Sequence, residues 1–373
     1  MADCRGQSYD NASNIAGKYT GLQARLKSLN HLAEFVPCCN HSLNLVGSCA
    51  AECCKEAVSY FSLCQQLFVF FSSSTHRWEI LQSAVSVSLP SLSRTRWSAR
   101  ADASHVIRKH YVKIRECLND IAENEMENHL TRHEASCLSK QMDTLEVALM
   151  TVIWDTILKR FDATNCSLQS INISLGQSVQ LYDSLGGFLQ SVRNEFDRLE
   201  EEAQNLVDGA GYQQNRKKTR KPAFDESREE DAPLLPRDAF RTRVFYTIID
   251  HLLVELHGRE EKYKLLCTRF DFLHNWRQMS DSELYDAASS FRIIYAQDIE
   301  DFGDELIQMK HLLKNENMAV DPNTLLVRLL SVQVRSMLFN SIIIFMQSLF
   351  LSSLFCSLFR IHSQILLLHF EYI

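Results

Sequence analysis

The sequence predicts a mainly α-helical protein, and three observations carry that prediction. Glycine (11) and proline (6) are scarce among 373 residues, far fewer than the tight turns of a β-sandwich or barrel demand. Hydrophobic residues make up 46% and charged residues 23%, enough to build a sizeable core and too apolar for a disordered chain. Apolar residues also recur at helical spacings through most of the length.

Taken in order, residues 11–28 read as a helix. The run Ala33-Glu34-Phe35-Val36-Pro37 reads as a strand, closed by a proline that cannot continue a ladder. This is the only α/β text. Ile107, Tyr111, Ile114, Leu118 and Ile121 lay one apolar stripe along a helix. Leu145, Leu149, Ile153 and Ile157 do the same, as do Leu181, Leu185, Phe188, Val192, Phe196 and Leu199. Such stripes need partners, so a helical bundle is the economical arrangement.

Residues 206–237 read as a linker. They hold Gly209, Gly211, a basic cluster (Arg216, Lys217, Lys218, Arg220, Lys221), an acidic cluster (Glu229, Glu230, Asp231) and three prolines, two of them after the acidic cluster. Such text buries almost nothing and should be mobile. Helical text resumes with Ile249, Leu252, Leu253 and Leu256 and continues through Leu306, Met309 and Leu313. The last stretch differs: 24 uncharged residues, 336–359, lie between Arg335 and Arg360, which meets the length of about 20 needed to cross a bilayer.

The net charge of −7 argues against a chain that coats nucleic acid by bulk charge, while leaving room for a local basic patch. Seven of the twelve cysteines fall in the first 64 residues. The start has neither a basic nor an apolar leader region, so the expected setting is a reducing nucleus or cytoplasm with free thiols.

On pattern alone the polar motifs have ordinary readings. Asp10 stands where a helix N-cap would. Cys38-x-x-His41, with Cys49, Cys53 and Cys54 after it, offers ligand types that zinc accepts, but the spacing fits no standard finger and small thiols are common in buried helices. Trp78 and Trp97 read as core or rim aromatics. The 216–221 cluster reads as solvated linker or as an import signal. No glycine-rich phosphate loop, Gly-x-Ser-x-Gly elbow or His-Glu-x-x-His is present.

Several motifs in one order say more. Gly6-Gln7-Ser8-Tyr9-Asp10-Asn11-Ala12-Ser13-Asn14, with Gly17 and Gly21-Leu22-Gln23, resembles the middle of a hAT-superfamily transposase. So do Pro37-Cys38-Cys39-Asn40-His41-Ser42-Leu43-Asn44-Leu45, Ser73-Ser74-Thr75-His76-Arg77-Trp78 and Thr95-Arg96-Trp97-Ser98-Ala99-Arg100. Within that superfamily the text is similar to the transposase-derived half of zinc finger MYM-type protein 1-like proteins, over about residues 3–314.

The resemblance implies a helical insertion domain attached to a partial RNase H-like α/β module. It implies two divalent ions, Mg²⁺ or Mn²⁺, held by three acidic residues, since hard cations want carboxylate oxygens. Asp10 matches the second acidic residue, and Glu305 is the candidate for the third, with Glu300 and Asp304 close by. Cys38 and His41 match a motif near the active site. Trp97 matches an Arg-Trp motif whose tryptophan stacks on a distorted DNA base, with Arg94, Arg96 and Arg100 as flanking cations.

Measured against the family, the chain carries no first aspartate, no DNA-binding zinc finger and no C-terminal dimerisation segment. The expected organisation is therefore a partial RNase H-like segment (1–45), a helical insertion (46–205), the charged linker (206–237), a helical return to the core (238–314) and an apolar tail (315–373). The expected function is that of a truncated, catalytically silent transposase-derived protein that needs no cofactor and contacts DNA weakly, or contacts full-length relatives. The alternatives are a Mg²⁺- or Mn²⁺-dependent strand-transfer enzyme using Asp10 and Glu305, and a membrane protein anchored by 336–359.

Overall fold

A computed structural model describes residues 6–9, 16–93, 97–170, 173, 175–207, 209–213, 235–270, 272–295 and 301–313, and these are mainly helical. The charged stretch 214–234, Asp10 and the whole span 336–359 lie outside the described residues. No helix among the described residues is long and apolar enough to cross a membrane.

The chain forms two compact units. The first comprises Met1–Ser42, Ser170–Gln180 and Arg259–Ile373, and the second comprises Leu43–Gln169 and Leu181–Gly258.

The first unit opens with strand β1 (Gly6–Tyr9), helix α1 (Leu22–Leu29) and strand β2 (Glu34–Pro37). The strands pair in parallel, Gly6 opposite Glu34 through Tyr9 opposite Pro37. Parallel neighbours need a crossover of a dozen or more residues, and residues 10–33 provide it. Gln7 is buried within this crossover. Its Nε2 donates to the carbonyls of Gln23 at 3.2 Å and Ala33 at 3.1 Å, tying β1 to α1 and to the entry of β2. Glu34 at the head of β2 is held by Arg269 at 2.7 Å and Lys27 at 3.2 Å. The sequence reading placed a helix over 11–28. Residues 11–15 lie outside the described residues and Ala16 is helical; a turn follows at 18–20, and a separate helix starts at Leu22, with Gly21 in an extended conformation (φ −67°, ψ 160°) as its N-cap.

The same unit holds α13 (Phe272–Asn275), α14 (Asp281–Ile294) and α15 (Phe302–Leu312). Their core gathers Trp276, Leu284, Phe291, Tyr295, Phe302 and Leu306, with Leu32 from the β1–β2 segment. Phe291 is the hub, with ring centroids 4.6 Å from Tyr295 and 5.6 Å from Phe302. A capping box starts α14: Ser280 Oγ accepts from Glu283 N–H, and the Glu283 carboxylate accepts from Ser280 N–H at 2.8 Å.

The remaining helices are α2 (Cys39–Ala51), α3 (Lys55–Ser72), α4 (Thr75–Val85), α5 (Trp97–Lys109), α6 (Tyr111–Glu123), α7 (His129–Met142), α8 (Leu145–Leu168), α9 (Leu175–Arg193), α10 (Phe196–Gln204), α11 (Pro236–Phe240) and α12 (Tyr246–Phe270), with a π-helical turn at Arg241–Phe245. In the second unit α8 is the central element, packed on α5 and α10. That position explains its sequence, which is buried around most of its circumference from Leu145 to Phe161. Side-chain caps open three of these helices: Ser74 for α4, Asn128 for α7 and Thr144 for α8.

Two expected single helices are each a pair. The 107–121 stripe breaks at His110 (φ −118°, ψ 23°) into α5 and α6, and the 181–199 stripe breaks at Asn194 and Glu195 into α9 and α10. Apolar spacing records which side chains are buried, not whether the backbone between them is continuous. The second stripe also turns slightly from its expected line: Tyr182, Leu185, Leu189 and Val192 are buried, with Leu181 and Phe188 at the flanks.

Candidate functional site

The Cys38–His41 motif sits where β2 hands over to α2 in the first unit. Cys38 N–H donates to the Tyr9 carbonyl at 3.1 Å, so the motif begins beside the last residue of β1. Cys39 is partly buried, and desolvation pushes its thiol up to about 11 despite hydrogen bonds with Ser178 and Tyr263. Tyr263 Oη meets Ser42 Oγ at 2.7 Å and donates to the Pro37 carbonyl at 3.2 Å, while Arg259 Nε donates to the Ser42 carbonyl at 3.1 Å. Burial first, and then the neighbouring Cys39, keeps the Tyr263 phenol well above its usual range. These hydrogen bonds, neutral apart from that of the Arg259 guanidinium, lock the β2–α2 corner onto the 259–270 segment.

Glu305 lies in the first turn of α15, half-buried, with its N–H donating to the Asp301 carbonyl at 3.0 Å. Asp304 beside it is exposed, and Glu300 and Asp10 lie outside the described residues. No group of three or more His, Cys, Asp or Glu side chains placed to hold a metal ion occurs among the described residues.

Trp97 heads α5 in the second unit and is 6% exposed. Its Nε1 donates to Ser48 Oγ at 3.1 Å, and its ring lies 6.2 Å from both Phe61 and Trp154. The other face rests on Gly47 of α2, where a Cβ would lie 2.7 Å from two indole carbons. A base cannot stack on an indole enclosed in this way, so in this arrangement Trp97 is a core side chain. Arg100 follows it inward, with its guanidinium 4.9 Å from the Phe61 ring and 5.0 Å from the Trp97 ring, and burial lowers its pKa. Its Nη1 is buried without a hydrogen-bond partner. Arg94 and Arg96 lie outside the described residues.

The second unit carries a cleft of about 460 Å³ that the sequence reading did not anticipate, lined from α5, α8 and the end of α10. Its floor is Asp155, the lone acid in the apolar run of α8, with its side chain 7% exposed. Asp155 accepts from Arg108 Nη1 at 2.8 Å and meets His105 Nδ1 at 3.1 Å. The second Arg108 nitrogen is paired with Glu202. Four lining residues are basic (His105, Arg108, Lys109, Lys159) against two acidic ones. Lys109 and Lys159 are exposed. Arg108 is fixed from two sides, so the uncommitted charge is that of the lysines, with the half-exposed His105 ring between them and Asp155.

Two signals for this cleft were present in the sequence. His105, Arg108 and Lys109 stand at i, i+3 and i+4, one face of a helix. Asp155 interrupts an otherwise apolar segment, and a buried acid requires a partner. No family model, curated protein or solved structure matches the chain.

Proposed function

We propose that this chain is a transposase-derived protein of the hAT type that contacts nucleic acid without cutting it. What supports the descent is the order of the motifs from Gly6 to Arg100 and their fit to a short parallel β-pair followed by helices. In this proposal β1, α1 and β2 belong to a partial RNase H-like module, the second unit to the helical insertion, and the protein works in the nucleus.

The observation that carries the contact is the basic cleft. Lys109 and Lys159 present ammonium groups at its mouth, and a phosphodiester there exchanges condensed counterions for them. Arg108 adds a guanidinium held in one orientation by Asp155 and Glu202. This replaces the contact expected at Trp97. Such binding is electrostatic, sequence-tolerant and weak, in keeping with a net charge of −7. Cleavage is a different matter. The chain offers Asp10 and Glu305 to a two-metal reaction that uses three carboxylates, and each metal must bridge between ligands and phosphate.

The test is fluorescence anisotropy of a labelled duplex with the full chain across a salt series. With about two phosphates neutralised, affinity should fall about tenfold between roughly 50 and 200 mM salt. Lys109→Ala with Lys159→Ala should remove most of it. Binding that ignores salt, or survives the double substitution, refutes the cleft. In parallel, Mn²⁺ with linear or hairpin duplex should give no cleavage, and cleavage abolished by Asp10→Ala refutes the silent reading.

A further inference from the structure

A second, smaller cavity lies in the second unit, walled by α2, α5 and α8. It offers about 10 Å³, room for one body the size of a water molecule. Leu158, Phe161 and the Trp97 indole make its walls largely apolar. Three polar residues line it as well: Asn44 from α2, and Asp162 and Asn165 from α8.

Asp162 and Asn165 stand at i and i+3, neighbours on one face of the helix. Asn165 is only 9% exposed, and its Oδ1 is buried without a hydrogen-bond partner. An amide oxygen in that condition carries a desolvation penalty that a donor or a cation relieves. Asp162 is half-buried and has a matching deficit of positive charge. Burial first, and the negative charge of Asp102 after it, raise its pKa, and no cation or hydrogen-bond donor among the described residues draws it back. The buried carboxylates elsewhere in this unit are met by guanidinium groups, Asp155 by Arg108 and Glu200 by Arg237. An orphaned neutral oxygen and an uncompensated carboxylate are independent features, and both border the same void.

The size of the void and the chemistry of its lining select the occupant. A water molecule satisfies Asn165 but leaves the Asp162 charge unbalanced. A divalent ion takes about six to eight oxygens or keeps several of its own waters, and a space of this size holds neither arrangement. The lining offers one formal negative charge, amide groups whose oxygens can replace water around an alkali ion, and an indole, whose π-system attracts cations.

We propose that Asp162, Asn165 and Asn44 form a binding site for a single monovalent alkali cation, sodium or potassium, seated between α2 and α8. Asp162 supplies the counter-charge, Asn165 the buried oxygen, and Asn44 the oxygen from the facing helix. The bound ion joins α2 to α8 beside the packed Trp97 ring, so its role is to stabilise the second unit.

The test is thermal unfolding of the full chain in potassium, sodium or choline chloride at one ionic strength. With the preferred alkali ion at about ten times its dissociation constant, Tm should stand about 3–6 °C above that in choline. Asp162→Asn keeps the shape and removes the charge. In choline it should unfold no lower than the parent, and in the alkali salt its Tm should not rise. Glu134→Gln, at an exposed carboxylate on α7, should leave the rise intact. Rubidium soaked into crystals of the full chain should give one anomalous-scattering peak within reach of Asp162 and Asn165. Equal Tm in the three salts, a rise that survives Asp162→Asn, or a water alone in the rubidium-soaked cavity overturns the proposal. A larger rise with Mg²⁺ or Ca²⁺, lost in Asp162→Asn, overturns the monovalent assignment.

Discussion

Replacing Gly47 by alanine tests how Trp97 is housed. Gly47 lies inside α2, where glycine costs about 1 kcal/mol relative to alanine. On helix propensity alone, then, Gly47→Ala should stabilise the protein. The packing argues the other way. The new Cβ would sit 2.7 Å from Cδ2 and Cζ2 of the indole and closer still to Cε2. The ring cannot fold aside, because its Nε1 is held by Ser48 and Phe61 and Trp154 pack beside it. Overpacking of a filled core costs about 1–3 kcal/mol, and a rigid ring at this separation belongs at the upper end. The net expectation is a loss of about 2 kcal/mol, or ~4–8 °C in Tm for a unit of this size. Thermal unfolding followed by far-UV circular dichroism measures it. A double-mutant cycle sharpens the test. Trp97→Leu opens the space, so Gly47→Ala in that background should be neutral or stabilising, a coupling of about 2–3 kcal/mol. A rise in Tm for Gly47→Ala alone, or the same penalty with and without the indole, would refute the reasoning.

Other outcomes follow from single contacts. Ser280→Ala removes the capping box of α14 and should cost about 1 kcal/mol, read as a lower urea midpoint with an unchanged m-value. Arg237 meets the buried Glu200 with two nitrogens, Nε at 2.9 Å from Oε1 and Nη2 at 2.6 Å from Oε2, whereas Arg193 pairs with the exposed Asp250. Arg237→Gln should therefore lower Tm clearly and Arg193→Gln hardly at all, because only the first leaves a buried carboxylate without its cation. Glu34 is pushed up by burial, but Arg269 and Lys27 outweigh this and hold its carboxyl below the usual range. Its contribution is present above about pH 4.3, the ordinary glutamate value, and is lost as pH falls through the lower folded value. Glu34→Gln should be less stable than the parent at neutral pH, with the difference shrinking as pH falls below the ordinary glutamate value of about 4.3, as measured by urea unfolding across pH.

The helical class and most core positions were legible in the sequence. Ile114, Leu118 and Ile121 face inward on α6, Leu149, Ile153 and Ile157 on α8, and Leu306 and Met309 on α15. The strand at 34–37 was legible because Phe35 and Val36 precede a proline. Its partner β1 was not, since Gly-Gln-Ser-Tyr holds a single strong strand former and owes its extended form to pairing with β2 and to the bonds of the Gln7 amide. Helix breaks at His110 and Asn194 were illegible for a related reason: neither is marked by glycine or proline. At the site, an aromatic after arginine reads alike whether it stacks on a base or fills a core. The separation of 50 residues between Trp97 and Gly47 hides the close approach that distinguishes the two. The cleft is equally non-local, drawing His105 and Arg108 to Asp155 and Glu202.

The pairing of Ser42 with Tyr263 across 221 positions, and of Glu34 with Arg269 across 235, has a consequence for biosynthesis. A ribosome adding about 5–20 residues per second releases the β1–β2 segment on the order of ten to fifty seconds before those partners emerge. A two-stranded sheet is at best marginal alone, and its unpaired edges invite other chains. The intervening residues meanwhile contain nearly everything that builds α3 to α8, with their local contacts. The second unit is thus in a position to fold first on the nascent chain, before the partners of residues 6–42 have emerged. The vulnerable interval in the life of this protein is the wait of residues 6–42 for Arg259, Tyr263 and Arg269.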